Sequence, residues 1–101
     1  MDFDEMLEEH KKWALSGGAE GKRANLLEIN TKEVDLRWAN LSGANLYSVD
    51  LTGLDLTGIM LPGANLMHAN FTGANLTDAD LRDTNLIETN FTDAIVEGTK
   101  F

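Results

Sequence analysis

From position 26 to position 101 one slot of a five-residue period is never broken: Leu26, Thr31, Leu36, Leu41, Leu46, Leu51, Leu56, Leu61, Leu66, Phe71, Leu76, Leu81, Leu86, Phe91, Val96 and Phe101. Of these 16 repeat centres eleven are Leu, three Phe, one Val and one Thr. Two residues before the centre the slot is small or branched, with Ala in eight cases. Immediately before the centre stand nine Asn and four Asp, and every Asn of the chain falls there. Gly43, Gly53, Gly58, Gly63, Gly73 and Gly98 all fall two after a centre. A period of five fits neither a helix at 3.6 nor a flat strand at 2. Gly and Asn/Asp are turn formers. Each pentad therefore reads as a very short extended piece followed by a tight turn, with Leu and Ala always inside. A coil stacked on itself satisfies this, with neighbouring turns about 4.8 Å apart.

Ala44-Asn45-Leu46, Ala64-Asn65-Leu66, Ala74-Asn75-Leu76 and Ala79-Asp80-Leu81 match A-(D/N)-L-X-X literally. Residues 24–101 resemble the pentapeptide-repeat family, with departures at Thr31, Met60, Ile95 and Lys100. The resemblance implies an all-β solenoid: a right-handed quadrilateral parallel β-helix, four pentads per coil, with the centre and the residue two before it inward. Four coils would make a rod roughly 19 Å long. Residues 20 apart should then stack in columns. Asn25, Asn45, Asn65 and Asn85 form one, where side-chain amides are expected to bond from coil to coil. Lys32, Thr52, Thr72 and Thr92 form another, and inside the rod Leu51, Phe71 and Phe91 should stack beneath Thr31.

Residues 2–15 read as an α-helix. Asp2 is the candidate N-cap with Glu5 three residues on. Met1 and Met6 have hydrophobic-staple spacing, and Ser16-Gly17-Gly18 ends the helix. Phe3, Met6, Leu7, His10, Trp13 and Ala14 share one face. An open solenoid end exposes core edges and unpaired backbone. Phe3, Met6, Leu7 and Trp13 are expected to cap it, with Trp13 over the first coil. The expected organisation is a capping helix and linker at 1–21 and the β-helix at 22–101. The opposite end carries Phe91, Val96 and Phe101. A homodimer through the C-terminal coils is expected, as the resemblance also implies, although relatives commonly use extra C-terminal helices.

With 17 acidic against 8 basic residues, the net charge of −9 argues against direct binding of nucleic-acid backbone or anionic membrane. The absence of cysteine excludes disulfides and thiolate chemistry. No apolar run approaches the roughly 18 residues of a membrane span, and the first residues are acidic, unlike a signal peptide. A soluble, cytoplasmic protein is expected. His10 and His68 have no nucleophile at a recognisable spacing, and no phosphate loop or zinc-protease motif occurs. Asp78-Ala-Asp80-Leu-Arg-Asp83 lacks the glycine and distal Glu of a calcium loop. The Asn-X-Ser/Thr strings are products of the repeat. No catalytic, cofactor-binding or metal-binding residue is assigned, and a non-enzyme without cofactor is expected.

Function should then lie on the surface. Leu27, Tyr47, Met67 and Ile87 stand one after a centre on one face and form an outward apolar stripe suited to a protein partner. Residues 24–101 hold 11 acids against four bases, a net −7. Some proteins of the resembled family are DNA mimics acting on type II topoisomerases. A duplex of about 19 Å carries about 11 charges, more than this rod. The acids fit a solvated coat better. The expected role is a non-catalytic protein-interaction module or small structural scaffold. The alternative is an acidic DNA-mimic regulator of DNA gyrase, another topoisomerase or another DNA-binding protein.

Overall fold

The computed structural model describes residues 2–101, so the Met1–Met6 staple lies outside the described residues. The repeat unit is a turn. In the pentad at Leu41, the Ala44 N–H donates to the Leu41 carbonyl at 2.9 Å, and Gly43 between them has φ 74°. That left-handed conformation favours glycine because a side chain there crowds the backbone. The residue before the centre prepares the turn. In all 13 pentads with Asn or Asp there, its Oδ1 accepts the N–H two residues on, for example Asn45 from Tyr47 at 3.0 Å. The amide column was expected to bond between coils. Instead each oxygen is committed to its own corner, because that N–H is the nearest donor and the turn leaves it otherwise unpaired.

Coils stack through backbone. Parallel bridges join residues 20 apart, as in Asn25 to Asn45, Asn45 to Asn65 and Asn65 to Asn85. The ten bridges among the described residues are all isolated, since a side only a few residues long between corners leaves no room for a longer strand. The coils are 24–43, 44–63, 64–83 and 84–101. Inside, Leu26, Leu36, Leu41, Leu46, Leu51, Leu56, Leu61, Leu66, Phe71, Leu76 and Leu81 are buried together with Ala44, Ala64, Ala69, Ala74 and Ala79. Leu86 and Phe91, in the last coil, are only partly buried. Phe71 and Phe91 stack at 5.1 Å and 9°.

Coil 24–43 is not a copy of the others. Its first two corners are 3-10 turns, Leu26–Glu28 and Thr31–Glu33. Glu28 and Glu33 occupy the corner slot there and are absent from the positive-φ residues. Among the described residues no bridge joins Asn30 or Asp35 to the coil below. The Thr31 hydroxyl instead donates to the Asp50 carbonyl at 3.0 Å, replacing part of the missing ladder. The polar centre and the Glu corners account for this local departure from the regular coil.

α1, Phe3–Leu15, lies across the end of coil 24–43. Asp2 caps it, accepting the Glu5 N–H at 2.8 Å, and Lys12 in its last turn complements the dipole. Ser16 closes it and Gly17 and Gly18 reverse the chain at φ 64° and 90°. Gly21 then passes so close to α1 that a Cβ would sit 2.3 Å from the Glu9 carbonyl oxygen. The adjacent Lys22 N–H donates to that same oxygen at 3.0 Å.

Candidate functional site

The helix-to-coil junction is built on His10. Its Nδ1 accepts the Ala24 N–H at 3.0 Å, so the proton stands on Nε2, which donates to the Ser42 carbonyl at 2.7 Å. One buried ring thus satisfies two backbone groups of the first coil. Burial holds its pKa below the ordinary histidine value, the bond to Ser42 opposes this, and the Arg23 charge adds to the lowering. Met6 is buried beside it, and Phe3 and Leu7 are partly buried against the core. Trp13 stacks on His10 at 5.3 Å and lies against the Gly43 corner under Arg23. The middle of the cap is therefore held by Met6 and His10, with Trp13 at its edge.

The outward slots carry the surface chemistry. Leu27, Tyr47 and Ile87 are 56%, 41% and 58% exposed, and Met67 is half-buried. They lie 20 residues apart on coils joined by the Asn25–Asn45–Asn65–Asn85 bridges, so the four make one line of about 14 Å. The corner column beside them is Glu28, Ser48, His68 and Glu88. His68 Nδ1 is 2.9 Å from Glu88, and the Tyr47 ring meets His68 edge-on at 5.5 Å. These contacts hold Tyr47 from one side. Among the described residues no group of three or more His, Asp or Glu side chains is arranged to hold a metal ion.

The acids are not a uniform sheet of free charge. Asp35 takes the Arg37 guanidinium at 3.0 and 2.9 Å, and Asp80 takes that of Arg82 at 2.9 and 2.6 Å. These hydrogen bonds lower both carboxyls to about 2. Asp50 and Asp55 are also lowered, by bonds from Thr52 and Thr57. At the far end Val96 and Phe101 are 45% and 59% exposed, and Phe101 meets Phe91 edge-on at 5.8 Å.

Sequence reasoning missed two residues. One is His10 as a double backbone partner. The other is Trp38, 65% exposed, at φ 62° in the corner slot that glycine fills most often. Its ring lies over Gly58, where a Cβ would meet it at 2.1 Å. A tryptophan in a glycine slot was the available signal.

A closed stack of five-residue turns, sealed inside by Leu and Ala and presenting its chemistry only on outward corners, defines a β-helical repeat scaffold. The chain belongs to the pentapeptide-repeat family: residues 22–58, 32–66 and 64–101 match the family described as Pentapeptide repeats, in 8 copies. Proteins of this family form right-handed β-helices and are generally non-catalytic scaffolds. The chain is similar to the crystal structure of the pentapeptide repeat protein Rfr23 from the cyanobacterium Cyanothece 51142, at 38% identity and TM-score 0.59, over 61% of this chain and 43% of that one. It is also similar to HetL of Nostoc sp. strain PCC 7120, a pentapeptide repeat protein involved in heterocyst differentiation regulation, at 33% identity and TM-score 0.45, over 64% of this chain and 33% of that one. A pentapeptide repeat protein of the Arabidopsis thaliana thylakoid lumen matches at 32% identity and TM-score 0.35, over 62% of this chain and 44% of that one. The chain thus matches less than half the length of each of these proteins. No curated protein matches it. No helix among the described residues is long and apolar enough to cross a membrane.

Proposed function

We propose that this chain is a non-catalytic scaffold that holds a protein partner on the face carrying Leu27, Tyr47, Met67 and Ile87. The observation behind this reading is the continuous line of apolar side chains along one face, three of them more than 40% exposed. The corresponding slots on the other faces hold mostly Thr, Ser, Lys, Arg and Glu. A rigid backbone beneath the stripe spares a partner the cost of ordering it. The double variant Tyr47→Ser, Met67→Ser should abolish affinity capture of the partner, with an unchanged far-ultraviolet circular dichroism spectrum. Both residues occupy outward slots, outside the buried Leu and Ala core. Undiminished capture by the folded double variant would reject this face.

The last coil supports a second reading, self-association. Val96 and Phe101 are exposed on the last coil, and Phe101 meets the half-buried Phe91 edge-on. Light scattering at tens of micromolar should give a dimer mass, reduced to the monomer by Phe101→Ser; a monomer for the unmodified chain overturns it. The DNA-mimic reading has less support, because Asp35 and Asp80 are neutralised locally by Arg37 and Arg82.

A further inference from the structure

The stripe is not the only exposed apolar feature. α1 lies across the end of coil 24–43, and a groove of about 490 Å³ opens beside its first half. Phe3 and Leu7 line one wall, and Val34, Trp38 and Ala39 the other. We propose that this groove receives a segment of a partner protein in which an apolar side chain is flanked by Lys or Arg.

Trp38 is the anchor. It stands at φ 62°, the corner conformation, and is the one tryptophan among the non-glycine residues that adopt it. Its ring rests on Gly58, which fixes its orientation, yet the residue stays 65% exposed. An aromatic side chain already held in place and open to solvent is the type that dominates binding energy at protein interfaces. Ser48, His68, Asp78, Asp83, Glu88 and Asp93 share the corner conformation, so it is the exposure of an oriented aromatic ring that points to contact with something outside the chain.

Charge selects the occupant. Asp2, Asp4 and Asp35 rim the groove. Arg37, the one cation among the described residues lining the groove, is already engaged by both oxygens of Asp35. Beyond that pair the lining adds Asp2, which caps α1, and Asp4, so its charge is negative, beside an indole of the type that attracts cations. A second copy of this chain, at net −9, is disfavoured as occupant. A basic segment is favoured, and its apolar residue would sit between Phe3, Leu7 and Trp38. This face is separate from the stripe, and an occupant here leaves Leu27, Tyr47, Met67 and Ile87 uncovered.

The test is an NMR titration of the full 15N-labelled chain with the peptide Gly-Lys-Leu-Leu-Arg-Gly and with its Glu-substituted counterpart. The basic peptide should shift the Trp38 indole N–H and the amides of residues 3–7 and 34–39, and the acidic one should not. Trp38→Gly should weaken binding at least tenfold while the thermal midpoint holds or rises, since glycine suits the positive φ. Asp4→Asn should weaken it several-fold. Shifts spread over the remote Asp78, Asp83 and Asp93 corners, equal response to both peptides, or full binding by Trp38→Gly would each overturn the proposal.

Discussion

Phe71→Ala should lower the free energy of unfolding by roughly 3–5 kcal/mol, read from urea denaturation followed by circular dichroism. Phe71 is fully buried and lies in the inward column that includes Leu51 and Phe91. The site cannot collapse around the void. The Asp50–Asn70 and Asn70–Asn90 bridges fix the coil above and below at the spacing of the backbone ladder. In a solenoid each coil is stabilised mainly by its neighbours. A void in coil 64–83 therefore weakens the junctions on both sides. Against a total of about 5–15 kcal/mol for a domain, this is a large fraction. Phe91→Ala should cost clearly less, because Phe91 is only partly buried. Equal losses at the two positions would contradict a core that is closed at coil 64–83 and opens toward the last coil.

His10→Ala should be the second large effect, about 2–4 kcal/mol, because it strips partners from the Ala24 N–H and the Ser42 carbonyl together. The expected signature is local: amide exchange at Ala24 and along α1 accelerates, while the amides of coil 64–83 keep their protection. The same ring makes the junction sensitive to acid. Only a neutral imidazole accepts at Nδ1, and burial lowers the folded-state pKa below the unfolded value of about 6.5. With the folded pKa depressed, the unfolded state binds the proton first. The contribution of His10 is therefore complete above about pH 6.5 and declines as pH falls below it, levelling off once the buried ring also protonates. Exchange at Ala24 measured from pH 7.5 down to 5, corrected for intrinsic rates, should show the junction loosening. His10→Ala should remove that component. An unchanged Ala24 protection factor across this range would rule out His10 as the latch.

Most of the architecture was legible because the inward slots admit so few residues. Leu41, Leu46 and Leu66 recur at five because each corner returns the chain to the same interior, and Ala44 and Ala64 are small because two inward slots share one side. The helix was legible from its 3.6-residue face, with Asp2 as its cap. The role of the Asn column was not: the same amide could bond to a neighbouring coil or to its own corner, and only backbone geometry decides between them. Nor was the looseness of coil 24–43 fully legible, although Thr31 at a centre and Glu28 and Glu33 at corners mark the stretch that departs. The role of His10 depends on Ser42, 32 residues away, and so on where the helix crosses the coil. The surface stripe was visible as a column in the sequence, whereas the groove at Trp38 exists only once α1 is laid across the end.

The Trp38 ring lies over Gly58, and two coils further down the Asp78 carboxylate lies over Gly98 in the same way. On this corner column a non-glycine side chain leans onto the coil below and occupies the space a Cβ would need there. Positions 38 and 58 consequently behave as one unit in any substitution scheme. The effect of filling position 58 depends on whether position 38 has first been emptied, and the two changes will not add. The coupling distance is 20 residues in sequence but a single ladder step in space. The column thus has an alternation of large and small with a period of 40, twice that of the fold, and outward variety on it is limited to every second coil.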